Sequence, residues 1–330
     1  MTPEEFKKLY EETREQVIQD LKEKKVRLSY TTLKEFTSPV KFVNYLVEKR
    51  IVKKPKTESQ LKGIIRDELL FTPQLVEKKW KFTDQAPTTD NQVGFAMEMI
   101  EKYKLLGSDN ITDQVIADVF KNHYKSGSAE KTYEGLKEYI LGMASGKKVV
   151  SQEMYDKAKE VIDRLNDHEE VQELFSTATD FQKKFEWEYE GWKNVMYLDA
   201  LQEEGDFFDG KYTKDSSPEK FERDIRWMKY YFQSSVYCVG MMANGFSMPQ
   251  CRILAYDDNF DFNIYDIEKS YLDYGIKEYR YKIQELNKMV DSERFNASYL
   301  FFKPTYLITK PKWIEGFHLD DDPAYEEEEY

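Results

Sequence analysis

Cysteine is nearly missing from this chain, with Cys238 and Cys251 the two it has. Two thiols are too few for an iron–sulfur cluster, a four-cysteine zinc site or a disulfide framework, so a reducing cytoplasm is the expected setting. Long apolar runs are missing too. None reaches the ~20 residues that a membrane-spanning helix needs, and the first six residues lack the basic start and apolar stretch of a signal peptide. Glycine (14) and proline (10) are sparse, which excludes collagenous and low-complexity classes. The three histidines, His123, His168 and His318, stand in no metal-ligand or triad spacing and read as structural.

Against these shortages stand 330 residues that are 40% hydrophobic and 15% aromatic. That is ample apolar surface for one large α/β domain with additions, or for two domains. The formal charge of −13 argues by itself against a polyanionic partner. Its distribution is uneven. Residues 1–80 carry 18 Lys and Arg against 13 Asp and Glu, while residues 318–330 hold seven acids and no Lys or Arg. Global charge is therefore a poor guide to what one cleft binds.

Apolar residues recur at helical spacing over residues 3–25, again around Leu33 and Phe36, from Ser38-Pro39 through Leu46, and over 58–71 with Leu61, Ile64, Ile65, Leu69 and Leu70 as the buried stripe. Lys53-Lys54-Pro55-Lys56 reads as a basic linker. The pattern stays helical and polar from about 91 to 175, with breaks expected near Gly127 and over 142–148. At Phe185 it changes. Residues 185–189, 195–201 and 207–212 alternate as strands, a helix is expected from Pro218 to Gly240, 251–256 and 262–267 read as two more strands, and a last helix covers 268–290. A helical N-terminal half followed by β-β-β-α-β-β-α defines an α/β (α+β) core, a mixed central sheet flanked by helices. The N-terminal helix occupies 1–27, and the acidic segment 314–330 is expected to be a disordered tail that solvates the chain or docks on a basic surface.

One constellation in the sheet half carries chemistry. Asp199 lies near the end of one strand, and ten residues later Asp209 and Lys211 share one face of the next. Adjacent antiparallel strands would bring two carboxylates and an ammonium together. A hard divalent cation such as Mg2+ takes oxygen ligands, acidifies a coordinated water, and leaves a neighbouring lysine to stabilise the charge of an attacked phosphoryl group. Asp-X-Lys also occurs by chance in charged proteins, so the weight rests on context.

That context resembles the PD-(D/E)XK nuclease superfamily, and within it the phage and prophage exodeoxyribonuclease VIII (RecE-type) branch related to lambda exonuclease. The branch's Ser-rich opening is matched by Ser29-Tyr30-Thr31-Thr32-Leu33-Lys34-Glu35-Phe36-Thr37-Ser38-Pro39 and its first helix motif by Gly63-Ile64-Ile65-Arg66-Asp67-Glu68-Leu69-Leu70-Phe71-Thr72-Pro73. Its D-x-K strand and following turn are matched by Asp209-Gly210-Lys211 through Phe221, its Tyr/Gln helix by Tyr230 through Gln233 to Tyr237, and its late P-x-W by Pro311-Lys312-Trp313. The resemblance covers about residues 28–313, with a helical insertion at about 91–150.

It implies a Mg2+-dependent deoxyribonuclease, with Mn2+ able to substitute, that degrades linear double-stranded DNA from its ends by metal-activated water. It further implies a homo-oligomer that hands single strands to an annealing protein. Asp67, Asp199 and Asp209 would hold the metal, Lys211 would assist the attacking water, and Gln233 would orient the site. Glu186, Tyr237 and Arg66 would support it, Arg66 by clamping a DNA phosphate. Lys214, Lys220, Arg223 and Arg226 follow the D-x-K strand and either track the backbone or pair with Asp215, Glu219, Glu222 and Asp224 at helical spacing. Three features depart from the pattern. Asp67 stands where the branch has histidine, Tyr197-Leu198-Asp199 lacks the usual basic residue and glycine, and Gly210 occupies the x of D-x-K, where it weakens a strand. The competing class is a catalytically inactive scaffold that binds DNA or protein.

Overall fold

Serine and threonine side chains open most of the long helices by accepting a hydrogen bond from a backbone N–H of the first turn, which satisfies an otherwise orphaned donor. Thr2 does this for α1 (Pro3–Lys22), Ser29 for α2 (Tyr30–Glu35), Ser38 for α3 (Pro39–Ile51) and Thr57 for α4 (Glu58–Phe71). A short α5 (Val76–Lys79) leads into strand β1 (Trp80–Phe82). Thr89, Thr112 and Ser128 then cap α6 (Asp90–Leu106), α7 (Asp113–His123) and α8 (Ala129–Ala144). Strand β2 (Lys148–Val150) pairs in parallel with β1. Ser151 caps α9 (Gln152–Asn166), and α10 (Glu169–Ser176) follows. The computed structural model describes residues 2–52, 56–299, 302 and 305. Pro311-Lys312-Trp313, the acidic tail and most of the basic linker lie outside the described residues.

The second half builds a five-stranded sheet in the order β3 (Ala178–Tyr189), β4 (Trp192–Gln202), β5 (Phe207–Tyr212), β6 (Cys251–Tyr256), β7 (Phe262–Asp266). All neighbours are antiparallel except β5 and β6. A parallel pair needs a crossover, supplied here by α11 (Pro218–Trp227) and α12 (Tyr230–Ala243). Helix α13 (Lys269–Asp291) packs beside α12. One face of the sheet joins α1–α3, α12 and α13 in a core that holds Phe42, Trp192, Leu198, Phe207, Phe232 and Tyr279. The other face meets α4, α9 and α10 through Leu70, Phe71, Val161, Leu174, Phe208 and Tyr256. Helices α6–α8 surround a core of their own, with Phe95, Met99, Phe120, Leu136 and Ile140.

The helix expected from Pro218 to Gly240 is two helices. Lys229 takes a left-handed φ of 59° between them, and the Met228 carbonyl, freed from helical bonding, accepts the Tyr30 hydroxyl at 2.7 Å and the Lys34 ammonium at 3.1 Å. Strand β3 begins seven residues before Phe185 because its polar start lies at the sheet edge, where alternation is not enforced by burial. A further break falls at Gly107, whose φ of 79° ends α6. Strands β1 and β2 are three residues each, too short to carry a period. No helix among the described residues is long and apolar enough to cross a membrane.

Candidate active site

Strand β5 leaves β4 almost at once. Their ladder consists of Ala200 opposite Phe208 and Leu201 opposite Phe207, after which β5 runs its whole length beside β6. Asp199 and Asp209 stand at the point where the two strands part. The split leaves the Gly210 amide without a strand partner on that side, and it donates to Asp199 Oδ2 at 3.0 Å. Asp199 Oδ1 accepts Gln182 Nε2 at 2.9 Å from β3. Gln182 lies between Phe181 and Lys183, which pair with Ala200 and Leu198, and has a positive φ of 52°, uncommon for a residue with a side chain; this local twist accompanies the reach of its amide. Sequence periodicity carries no signal for such a twist, and Gln182 is missing from the sequence-derived site.

Asp209 is 5% exposed. Its Oδ2 meets the Lys211 ammonium in an ion pair, and its Oδ1 accepts Gln233 Nε2 at 2.9 Å from α12. The same Gln233 amide reaches the Tyr237 hydroxyl at 3.0 Å. Lys211 also lies 5.1 Å from the centre of the Tyr230 ring. Helix α4 brings Asp67 from the opposite side, next to the buried Tyr256 hydroxyl. It approaches closely because residue 210 is glycine. A Cβ there would lie 2.8 Å from the Phe71 ring and 3.6 Å from Leu70. The glycine that weakens a strand on propensity is what lets this helix seat on it.

The charges do not balance. Burial pushes the Asp67 carboxyl up to about 7, with Lys211 opposing the rise and Asp209 adding to it. Burial also raises Asp199 well above the usual carboxylate range, and the Asp209 charge raises it further. Burial works against the charge on Lys211, yet Asp209 and Asp199 more than offset that and hold it protonated above its ordinary value. Three carboxylates share one ammonium, and Asp209 Oδ2, buried against Lys211, has no well-directed hydrogen-bond donor. In kind, this donor set fits a hard divalent cation: all oxygen, with more carboxylates than the one ammonium can neutralise. In arrangement it is not closed around one point. Among the described residues no three His, Cys, Asp or Glu side chains converge as a ready-made metal cluster.

Asp67, Asp199, Asp209, Lys211, Gln233 and Tyr237 are thus neighbours. Glu186 is not among them. It stands exposed on β3 and pairs with Lys184 at 3.0 Å and Arg27 at 3.3 Å, so its charge is spent at the surface and does not touch Lys211. Arg66 is not a surface group but only 3% exposed. It is stacked 3.9 Å from the Tyr212 ring and ion-paired to Asp258, with Nε and Nη1 left without partners. Lys220 pairs with Asp215, whereas Arg223 and Arg226 form no ion pair among the described residues. His123 sits 2.9 Å from Glu98 and His168 packs on Phe262, both away from this site.

A mixed five-stranded sheet with two acids and a lysine at a strand split, and helices on both faces, is the PD-(D/E)XK-like nuclease fold. Residues 29–298 match the family described as a PDDEXK-like domain of unknown function (DUF3799), and the chain belongs to that family. No curated protein matches it in sequence. Among solved structures, it is similar to a protein from Eubacterium rectale described as a candidate exonuclease. The identity is 13%, over 70% of this chain and 97% of that one, with a TM-score of 0.38.

Proposed function

We propose that the protein is a divalent-metal-dependent deoxyribonuclease acting on the ends of linear duplex DNA. The observation that carries this reading is the Asp209–Lys211 ion pair beside Asp199 at the β4–β5 split, with the Asp67 carboxyl near enough to respond to both charges of the pair. Membership of a PDDEXK-like family supports nuclease chemistry and metal dependence in general. The preference for Mg2+ over Mn2+, the exonucleolytic mode, the RecE-type branch, and the annealing partner and homo-oligomer that go with it rest on the sequence resemblance.

When bound, the cation would supply Lewis acidity and a coordinated water more acidic than bulk water. Asp67, Asp199 and Asp209 would hold it. Lys211, kept charged by its acidic neighbours, donates to the oxygen on which negative charge grows during phosphodiester hydrolysis. Gln233 keeps Asp209 from rotating by holding Oδ1, and Tyr237 holds Gln233 in turn. The Gly210 amide and Gln182 do the same for Asp199.

The test is incubation with end-labelled linear duplex and with covalently closed circles, in Mg2+, Mn2+ and EDTA. Metal-dependent release from linear DNA alone, abolished by Lys211→Ala, is the expected result. Cleavage of the closed circle would make the enzyme an endonuclease. A second reading, a non-catalytic scaffold, draws support from the unconverged carboxylates. Tight DNA binding without cleavage in either metal would establish it.

A further inference from the structure

The bend between α11 and α12 exposes an unusual residue three positions before Tyr230, whose ring faces Lys211. Trp227 ends α11 and is 79% exposed, and Met228 beside it is 47% exposed. Burying an indole contributes more than burying most side chains, so leaving one in water where the chain turns calls for a reason. Propensity does not supply it: α11 has a well-formed inner face with Phe221 and Ile225 buried, and Trp227 is not on it.

Two tyrosines connect this corner to the chemistry. The Tyr30 hydroxyl donates to the Met228 carbonyl at 2.7 Å, and its ring lies 6.0 Å from that of Phe232 on α12. Tyr230, three residues beyond Trp227, lies 5.1 Å from the Lys211 ammonium and stacks on Phe221. The exposed face of α11 is of mixed sign, with Glu219 and Glu222 among Lys220, Arg223 and Arg226. Arg223 lies one turn before Trp227, Arg226 is its neighbour, and both are exposed without an ion pair among the described residues. Helix α11 starts six residues after the end of β5, so this stripe leaves the candidate active site directly.

Arginines that can neutralise phosphates, interleaved with a flat aromatic in water, are the parts of a single-strand platform. The cations follow the backbone and the ring stacks on a base whatever its identity. Resting on the nuclease reading above, we propose that Trp227 stacks on an unpaired nucleobase of the DNA strand held at the catalytic centre, with Arg223 and Arg226 on its phosphates. The corner then positions substrate at a frayed or overhanging end rather than on intact duplex.

The experiment is equilibrium binding in calcium, without turnover, to short blunt duplex, the same duplex with an unpaired overhang, and the free single strand. Wild type, Trp227→Ala, Trp227→Phe and Arg223→Gln are compared. Trp80, Trp187 and Trp192 are buried, so the emission lost in Trp227→Phe reports the exposed indole. The overhang should quench that component. Trp227→Ala should weaken overhang binding about 10-fold, within the range for one stacked base, and Trp227→Phe should recover most of it. The alanine variant should keep the salt slope, because stacking releases no counterion, whereas Arg223→Gln should lower it by about one phosphate contact.

Affinity within about two-fold of wild type for Trp227→Ala on the overhang probe would overturn the proposal. So would an equal loss on blunt duplex, or the loss of a dimer in sedimentation with DNA affinity unchanged. Failure of wild type to bind any probe would remove the nuclease reading along with it. Normal wild-type binding and cleavage with an indifferent Trp227 would remove the stacking role alone.

Discussion

Lys211 and Lys282 are both drawn out of water, and their surroundings push them in opposite directions. Lys211 sits among acids, and Asp209 and Asp199 hold its proton against the cost of burial. Lys282 lies on α13 under Phe36, Tyr281 and Phe302, beside a cavity of about 580 Å³, with its ammonium on the Phe36 carbonyl at 3.0 Å. There burial dominates, Lys229 adds repulsion, and the ammonium is pushed down to about 8. Burial alone discharges an amine; a surplus of carboxylate keeps it charged. Lys211 therefore keeps its proton, and its site is short of positive charge even with the lysine present.

The largest expected effect breaks the acidic side of this comparison. Lys211→Ala should lower metal-dependent cleavage of linear DNA by about 10²–10³-fold, the usual cost of removing one preorganised donor to a charged transition state. Asp209→Asn should lower it at least as far, because Asp209 is the carboxylate that Lys211 and Gln233 both grip. Single-turnover rates at saturating enzyme measure both. Full activity in Lys211→Ala would show that the amine is only a counter-ion.

The shortage of positive charge gives a test that needs no substrate. A cation bound only by the folded state stabilises it by about 2.7 kcal/mol at a hundred times its Kd. Thermal unfolding should therefore rise with Mg2+ or Mn2+ in wild type, and rise further in Lys211→Met, where the three carboxylates have lost their one ammonium. Asp199→Asn should shrink the shift. Equal shifts in all three proteins would place the metal elsewhere.

Gly210 sharpens the contrast between strand propensity and packing. Alanine suits a strand better than glycine, yet its methyl would meet the Phe71 ring at 2.8 Å. Gly210→Ala should destabilise the protein by about 1–3 kcal/mol, as overpacking does, and should push α4, with Asp67, off the sheet. A chemical denaturation midpoint at or above that of wild type would show that Phe71 yields freely.

How far the sequence discloses these arrangements depends on the range of the forces involved. Capped helices such as α3 and α4 are legible because Ser38-Pro39 and Thr57 act locally on their own first turns. Strand β5 is legible to the residue because both its faces are buried. The nearness of Asp199 and Asp209 follows from their spacing across one turn, whereas Asp67 enters through family resemblance alone. What stays hidden is set by tertiary contact. Gln182 reaches Asp199 through a twist in an edge strand, Arg66 is buried by Tyr212 and Asp258 from distant segments, and the α11–α12 bend depends on Tyr30 and Lys34 gripping the Met228 carbonyl. Glu186 misleads because alternation places it on a strand face without saying which charges wait there.

The smallest expected effect comes from the apolar lysine. An amine whose folded pKa lies below its unfolded value costs stability wherever the unfolded chain would be charged. For Lys282 that cost is fully present below pH 8 and is relieved as pH climbs from about 8 to the ordinary 10.5. At about 1.36 kcal/mol per pH unit the gross penalty near neutrality is about 3 kcal/mol. Lys282→Met removes it but strands the Phe36 carbonyl, a loss of about 1–3 kcal/mol, and leaves Glu278 facing Lys229 alone, 2.7 Å away. The net gain at neutral pH should be about 1 kcal/mol or less, too near zero to decide anything alone. The pH dependence decides it. The stability of the wild type relative to Lys282→Met should climb steadily above pH 8. A difference that stays flat to pH 10.5 would mean that Lys282 keeps its proton in the fold, held by the Phe36 carbonyl and the Glu278 carboxylate 3.9 Å away.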